Sequence, residues 1–204
     1  MIRPAKHDPS VILTAAMSVF FEEGIGVSTG RIASAAGVPN GTLFHYFATK
    51  QTLIDALYVS IKSDLARTVG ELDPSAPLKQ RMRQAWDRWL AWARANPQAH
   101  AVGNLLHDSE LVSAEAVAAG YAVAGAPIDL MVEAHQAGLL VALPIPYLAA
   151  LIPHHIDEAV ASDLDDDQAA AAFDVLWRGM TIPSDSSGAD GDGFAGFGPN
   201  HTNE

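Results

Sequence analysis

The sequence predicts an all-α fold. Apolar residues recur at three- and four-residue steps along most of the 204-residue chain, which is the period of a helix with one buried face. No stretch of the sequence sustains the alternation of apolar and polar residues that marks a half-buried strand. Glycine and proline interrupt the pattern where helices would end. We therefore expect packed helices and no sheet.

The first two predicted helices lie close together near the N-terminus. Residues 9–23 carry an apolar stripe, and Asp8 or Ser10 is placed to cap the start of this helix. Gly24 follows the stripe and ends it. Ser28 is a good N-cap for a second, short helix, which carries the next buried stripe.

The third helix follows Gly37, which ends the second. Pro39 suits the first turn of a helix, because the N–H that proline lacks would have no partner there. Leu43 and Phe47 lie four residues apart and are expected to face inward. Two short helices joined by a glycine turn and braced by neighbouring helices predict a helix-turn-helix.

A longer helix, capped by Thr49 and continuing to about Arg67, is expected to join this head to a larger helical body. The segment "GELDPSAP", residues 70–77, interrupts the pattern. The sequence then predicts helices at roughly 78–95, 98–108, 113–138 with an interruption at Gly125 to Pro127, 145–161 and 166–180. The expected organisation is a helix-turn-helix head at 1–48, a larger helical domain at 49–182, and a disordered tail at 183–204, which is rich in Gly, Ser and Asp.

Charge is distributed unevenly along the chain. The formal net charge is −12, yet residues 1–70 hold six basic and five acidic residues, so the acidity lies in the remainder. Such asymmetry indicates that the two parts do different work. The chain contains no cysteine, which excludes disulfides and thiolate metal sites and fits a reducing compartment. The first residues lack the pattern of a signal peptide and no apolar run is long enough to cross a bilayer, so we expect a cytoplasmic protein.

The start of the third helix has the chemistry of a DNA-reading tip. A recognition helix needs small or polar residues where it enters the major groove, and the stretch from Pro39 to Thr42 supplies them. Asn40 can pair with an adenine edge, and Thr42 can bond phosphate or contact a thymine methyl group. Phe44 offers an apolar contact, whereas His45 and Tyr46 can reach phosphate or a base.

Basic and hydroxyl side chains flank this tip. Ser28 and Lys50 lie at helix N-termini, where backbone N–H groups favour phosphate. Arg31 is either a further phosphate contact or an ordinary solvated arginine. Phe44 and Tyr46 are as readily explained by packing within the head as by DNA contact.

Residues 12–57, "ILTAAMSVFFEEGIGVSTGRIASAAGVPNGTLFHYFATKQTLIDAL", resemble the DNA-binding domain of the TetR family of bacterial transcriptional regulators. The matching pieces are "AAMSVFFEEG", "IASAAGV", "GTLFHYF" and "TKQTL", in that order. The resemblance implies that the DNA is contacted by Ser28, Asn40, Gly41, Thr42, Phe44, His45 and Lys50. Pro39 and Phe44 depart from the serine and tyrosine that family members often carry, so two hydroxyl groups are missing.

The body contains an aromatic stripe that predicts either solid core or the wall of a ligand cavity. Trp86, Trp89 and Ala93 share one face of a helix. The resemblance to TetR proteins, which generally hold a small molecule in the larger domain, favours a cavity. We expect it near Trp86, Trp89, Leu106, His107, Met131 and His135, with Tyr58 at the join to the head. The expected ligand is apolar, and one histidine orients it by a hydrogen bond.

The histidines of the body do not predict a metal site or an enzyme. No HExxH motif occurs, and His107, Asp108 and Ser109 are adjacent in sequence and so do not face one another on a helix. No cofactor is expected. The predicted function is a ligand-responsive, dimeric repressor of a palindromic operator. The alternatives are a DNA-binding helical protein without an effector and a helical enzyme.

The last two helices are the predicted dimer interface, because the resemblance implies a four-helix contact between two chains. The proposed contacts are apolar positions of these helices: Leu148, Leu151, Ile152, Ile156, Ala169, Phe173 and Leu176. The alternative is that the same side chains close the core of a single chain.

Overall fold

The computed structural model describes residues 8–107 and 109–182, apart from the side chain of Ala124. The predicted tail at 183–204 and the basic residues Arg3 and Lys6 lie outside this part. Within it the chain forms helices α1 (Pro9–Glu23), α2 (Thr29–Ala35), α3 (Asn40–Tyr46), α4 (Lys50–Val69), α5 (Leu78–Ala95), α6 (Pro97–His107), α7 (Ala114–Ala124), α8 (Ala126–Gln136), α9 (Ile145–Ala161) and α10 (Asp166–Met180). The all-α prediction is confirmed: apart from one isolated bridge between Leu140 and Thr181, the described residues contain no strand pairing.

The head is formed by α1, α2 and α3, and its helix starts follow the predicted caps. The Asp8 side chain accepts a hydrogen bond from the backbone of Ser10, and the Ser28 side chain accepts one from the backbone of Arg31. Gly37 makes the turn between α2 and α3 with φ +66°, a backbone conformation that other residues adopt at a cost. Pro39 lies one residue earlier than predicted, at the N-cap of α3 rather than inside its first turn.

Helix α4 connects the head with the body. Thr49 and Thr52 form a reciprocal capping box at its start, which satisfies N–H groups that a helix otherwise leaves free. The helix has 20 residues and therefore spans about 30 Å. One side of α4 is apolar and buried. Near the start of the helix Leu53 packs in the core of the head, and further along Ile61 and Leu65 pack in the core of the body.

Polar contacts fix the body helices against one another. The Trp92 indole on α5 donates a hydrogen bond to Asp64 on α4 at 2.9 Å. His100 on α6 lies 2.7 Å from the carboxylate of Asp157 on α9, and Asn104 donates to the same carboxylate. Because each pair joins two helices, these contacts set how α4, α5, α6 and α9 pack.

The predicted break between the helices at 113–138 is confirmed. Gly125 has φ +59° and separates α7 from α8. In the described part of the chain, no single helix combines the length and apolar character needed to cross a membrane. Helices α7 and α8 meet that test only as a pair, with an 82° bend between them.

The dimer-interface prediction needs correction at five positions. Leu148, Ile156, Ala169, Phe173 and Leu176 are at most 4% exposed in the single chain. Their side chains pack against α5, α8 and each other's helices, because the apolar stripes of α9 and α10 face the body rather than solvent. These five side chains therefore close the core of one chain, which is the alternative stated above. Leu151 and Ile152 are half-buried.

Gly120 allows α7 to approach α4 closely. A Cβ atom at this position would lie 2.6 Å from the Tyr58 ring and 3.4 Å from Lys62. We expect Gly120→Ala to lower the free energy of unfolding by about 1–2 kcal/mol, because the overpacking cost exceeds the gain in helix propensity. Urea unfolding measures this, and Gly41→Ala is the control, since a Cβ there would meet nothing within 4 Å and the residue also lies in a helix. Equal stabilities of the two variants would contradict the close approach.

Candidate DNA-binding surface and effector cavity

The exposed side of α3 is the part of the head that is available to a partner. Asn40, Gly41, Phe44 and His45 are exposed, whereas Leu43 on the opposite side is fully buried. A Cβ atom at Gly41 would meet nothing within 4 Å. The backbone at the start of α3 can therefore come close to a flat surface such as the edge of a base pair.

Tyr46 and Phe47 hold α3 in place from behind. Phe47 is buried in the head core, and Tyr46 is half-buried with its ring edge-on to His45 at 5.2 Å. Packing within the head, which was one of the two explanations offered for Tyr46, therefore accounts for much of its side-chain surface. Phe44 is 41% exposed, so its ring is available for an apolar contact with a partner.

The basic side chains next to α3 already have partners within the head. Arg31 forms an ion pair with Glu23 at 2.7 Å, and both side chains are substantially exposed. Lys50 donates a hydrogen bond to the backbone carbonyl of Ile25 at 2.5 Å. Lys50 thus ties the start of α4 to the turn after α1, in addition to any contact its remaining N–H groups make. Sequence reasoning missed both partners.

A cavity lies in the body where α4, α7, α8 and α9 meet. Its volume is about 80 Å³, and it is partly open to solvent. It is lined by Tyr58, Lys62, Leu65, Ala66, Val69, Trp89, His107, Gly120, Tyr121, Pro127, Ile128, Met131, Ala149, Ala150, Ile152 and Pro153. Five of these residues belong to α4, the same helix that begins beside α3.

The polar groups of the cavity cluster around Tyr58. Its hydroxyl lies 3.4 Å from Nδ1 of His107, and the two rings are stacked with centroids 6.4 Å apart. The Lys62 ammonium lies 5.4 Å from the centroid of the Tyr58 ring. Burial, together with the neighbouring Tyr121, raises the pKa of Tyr58 to about 12. The shift moves ionisation of the phenol still further above pH 7.

The head sequence matches the family model "Bacterial regulatory proteins, tetR family" over residues 12–57. The fold resembles the crystal structure of a proposed TetR-family transcription regulator from Shewanella sp. PV-4, with a TM-score of 0.78 and 27% identity, over 89% of this chain and 100% of that one. The head is therefore a DNA-binding domain of the TetR type. The chain is a DNA-binding transcriptional regulator whose helix-turn-helix is α2 and α3.

Structures of lower sequence identity share the fold. A regulator from Marinobacter aquaeolei VT8 matches with a TM-score of 0.74 and 20% identity, over 85% of this chain and 95% of that one. FadR from Bacillus subtilis, in complex with stearoyl-CoA, matches with a TM-score of 0.63 and 20% identity, over 85% of this chain and 100% of that one.

In this regulator the predicted effector residues are divided between the cavity and its surroundings. Tyr58, Trp89, His107 and Met131 line the cavity. Trp86 lines a smaller neighbouring space. Leu106 is fully buried in the core, and His135 is exposed on α8; neither lines the cavity. Of the two histidines proposed to orient a ligand, only His107 is placed to do so.

Sequence reasoning missed Lys62 and Tyr121 on the cavity wall. Lys62 follows Tyr58 by four residues on α4, and Leu65, Ala66 and Val69 continue the same side of the helix. This spacing was visible in the sequence. Ile152, which was predicted at the dimer interface, also lines the cavity.

The Glu23–Arg31 ion pair leads to a prediction about DNA affinity. We expect Glu23→Gln to raise affinity for any DNA severalfold at low salt, because Arg31 is released for a phosphate, and to steepen the dependence of log Kd on log salt by about 0.9. Fluorescence anisotropy with a labelled duplex at several salt concentrations measures both. Glu22→Gln is the matched control, since it removes the same charge from a residue that forms no ion pair among the described residues. Equal gains from both variants would show a general charge effect instead.

Proposed function

We propose that this regulator is a homodimeric repressor that leaves a palindromic operator when a small, largely apolar molecule occupies the body cavity. The observation that carries the proposal is the path of α4. Its first turn is tied to the head by Lys50 and Ile25, and five of its later residues line the cavity. A molecule in the cavity therefore touches the helix that positions the DNA-binding head.

The composition of the cavity wall supports an apolar ligand. Most of its lining is aliphatic or aromatic, and the polar groups gather around Tyr58. This is the usual make-up of a small-molecule site, in which a few polar groups orient a ligand held by apolar surface. The stearoyl-CoA bound by the Bacillus subtilis relative supports the view that this fold can accommodate a long apolar group.

Release from DNA requires that the ligand prefer one shape of the protein. A ligand that binds two shapes equally shifts nothing. Because α4 spans about 30 Å, a small rotation at its cavity end moves α3 relative to the second copy. A ligand that favours the rotated shape lowers operator affinity by its preference between the two shapes.

A second copy of the chain is proposed to dock on the outer sides of α9 and α10. There Tyr147 is 57% exposed and Val175 is 66% exposed, and Ala171 and Gly179 are small and exposed on the same side of α10 as Val175. Small residues allow two helices to approach closely. This surface replaces the buried positions first predicted.

The recognition role of α3 is tested by Asn40→Ala. We expect a loss of about 1–3 kcal/mol in operator binding and relaxed preference at one base pair of each half-site, because the Asn40 amide is lost from a base edge. A gel shift with the DNA upstream of the gene, and with single-base variants of the bound site, measures both effects. Unchanged affinity would mean that Asn40 does not read a base.

The alternative, a DNA-binding protein without an effector, makes a different prediction. Under either function the protein retards the upstream DNA fragment in a gel shift. Only a ligand-responsive repressor is released from that fragment by a molecule that binds the cavity. Binding of a cavity ligand with no change in operator affinity would favour the alternative.

A further inference from the structure

Two buried indole N–H groups in the body have no hydrogen-bond acceptor among the described residues. They are Nε1 of Trp86 and Nε1 of Trp89, both on α5. A third tryptophan of the same helix, Trp92, donates its N–H to Asp64 at 2.9 Å. An indole N–H can only donate, and a buried donor without an acceptor destabilises the state that contains it. Two such donors on one helix call for a physical explanation.

Both tryptophans line the space proposed for the effector or the space next to it. Trp89 lines the main cavity, and Trp86 and Trp89 line a neighbouring space of about 20 Å³. The two spaces share Trp89, Pro127 and Ile152. The two spaces therefore adjoin at these three residues.

The remaining polar groups of this region are also mainly donors. Lys62 carries an ammonium group, and the Tyr58 phenol, whose pKa is raised to about 12 by burial, is a neutral hydroxyl. Among the described residues that line either space there is no aspartate, glutamate, asparagine or glutamine. A bound cation would therefore lose water without gaining a carboxylate, which is costly. A bound acceptor would find the two indole N–H donors.

Resting on the proposed function, we infer that the effector is an apolar molecule whose polar atoms are hydrogen-bond acceptors. A ketone, ester or carboxylate oxygen accepts the N–H of Trp89 or Trp86, and amines and other cations are excluded. The acceptor supplies the partner that these donors lack in the ligand-free chain.

The same contact explains why binding changes the shape of the body. Both indole nitrogens are inaccessible to solvent in the ligand-free chain, so an acceptor reaches them only after Trp89 or a neighbouring side chain moves. The hydrogen bond then forms in the ligand-bound shape and not in the ligand-free one. This is the differential interaction that a ligand needs in order to shift an equilibrium.

The test uses ligands that differ only in their polar group. On a naphthalene ring these are 2-acetylnaphthalene, 2-isopropenylnaphthalene, 2-naphthoate and 1-(2-naphthyl)ethylamine as its ammonium ion. The matching n-octyl series is decan-2-one, 2-methyldec-1-ene, nonanoate and 2-aminodecane. Calorimetric titration of the full chain at pH 7 is expected to give at least about tenfold tighter binding for the ketone or carboxylate than for the alkene and the ammonium ion of the same series, the effect of one hydrogen bond.

Variants identify the donor. Trp89→Phe or Trp86→Phe is expected to reduce the ketone-to-alkene ratio to less than about threefold, while Trp92→Phe, whose N–H is already paired, keeps the wild-type ratio. In the ligand-free chain, Trp92→Phe is expected to lower the melting temperature more than Trp89→Phe, since only the former loses a hydrogen bond. If a variant does not fold, the comparison of ligands on the wild-type chain still tests the preference for an acceptor.

The outcomes separate this inference from the proposed function. Alkene or ammonium binding as tight as ketone binding overturns the acceptor inference and leaves an apolar effector site intact. A ketone preference that survives both Trp89→Phe and Trp86→Phe overturns the assignment of the donors. Failure of all eight compounds to bind at their solubility limits, in a chain that still binds its operator, overturns the effector cavity and with it the ligand-responsive part of the proposed function.

Discussion

Gly41→Glu is expected to abolish operator binding and leave the fold intact. Gly41 is exposed at the start of α3, and a Cβ atom there would meet nothing within 4 Å, so the chain can accept a side chain. Replacing glycine within a helix adds up to about 1 kcal/mol of stability. On DNA, the same side chain would hold the helix away from the base pairs and place a negative charge near phosphates. We expect at least about a hundredfold loss in affinity, or about 2.8 kcal/mol.

Fluorescence anisotropy with the operator measures the affinity, and thermal unfolding checks the fold. Ala118→Glu is the matched control, because it adds the same charge at an exposed position of α7 in the body. Operator binding by Gly41→Glu within threefold of wild type, at an unchanged melting temperature, would show that α3 does not approach the DNA at this residue.

Val175→Arg is expected to give a folded monomer that binds the operator at least about a hundredfold more weakly. Val175 is 66% exposed in the single chain, so the fold does not depend on it. In the proposed dimer it lies between two copies of α10, where an unpaired arginine would be buried against its own copy. Weak operator binding follows because one head contacts one half-site, whereas two linked heads add their binding free energies.

Sedimentation velocity at micromolar concentration measures the state of the chain. Leu105→Arg is the control, since Leu105 is an exposed apolar residue of α6, 43% exposed, outside the proposed interface. If the Val175→Arg variant is still a dimer, the interface does not include Val175. If the wild-type chain is a monomer, the proposed dimer is wrong.

The head could be predicted from the sequence because its signals are local. Ser28 and Thr49 cap the helices that follow them, and Gly37 makes the turn as expected. Capping and turn formation depend on residues a few positions apart. The ion pair of Arg31 with Glu23 was missed because the partners are eight residues apart and on different helices.

The body could be predicted only in part, because periodicity says which residues share a face and not what covers that face. Leu148 and Phe173 were placed at a dimer interface and instead are buried in the core of one chain. The cavity poses the same difficulty, since the sequence around Trp89 would be the same whether this residue packed in a solid core or lined a cavity. Whether a gap remains depends on how closely facing helices approach, and this is decided by residues such as Gly120 against Tyr58.

The central claim is that two copies of α3 read two halves of one DNA site. Selection from a random duplex library with the purified chain, followed by sequencing, tests it without any assumption about the genes controlled. The account predicts enrichment of an inverted repeat whose half-site centres lie one helical turn apart, roughly 34–36 Å, or a multiple of that distance. It also predicts that the Asn40→Ala variant selects the same repeat with one position relaxed in each half. Enrichment of a single unrepeated site, or of no sequence at all, would contradict it.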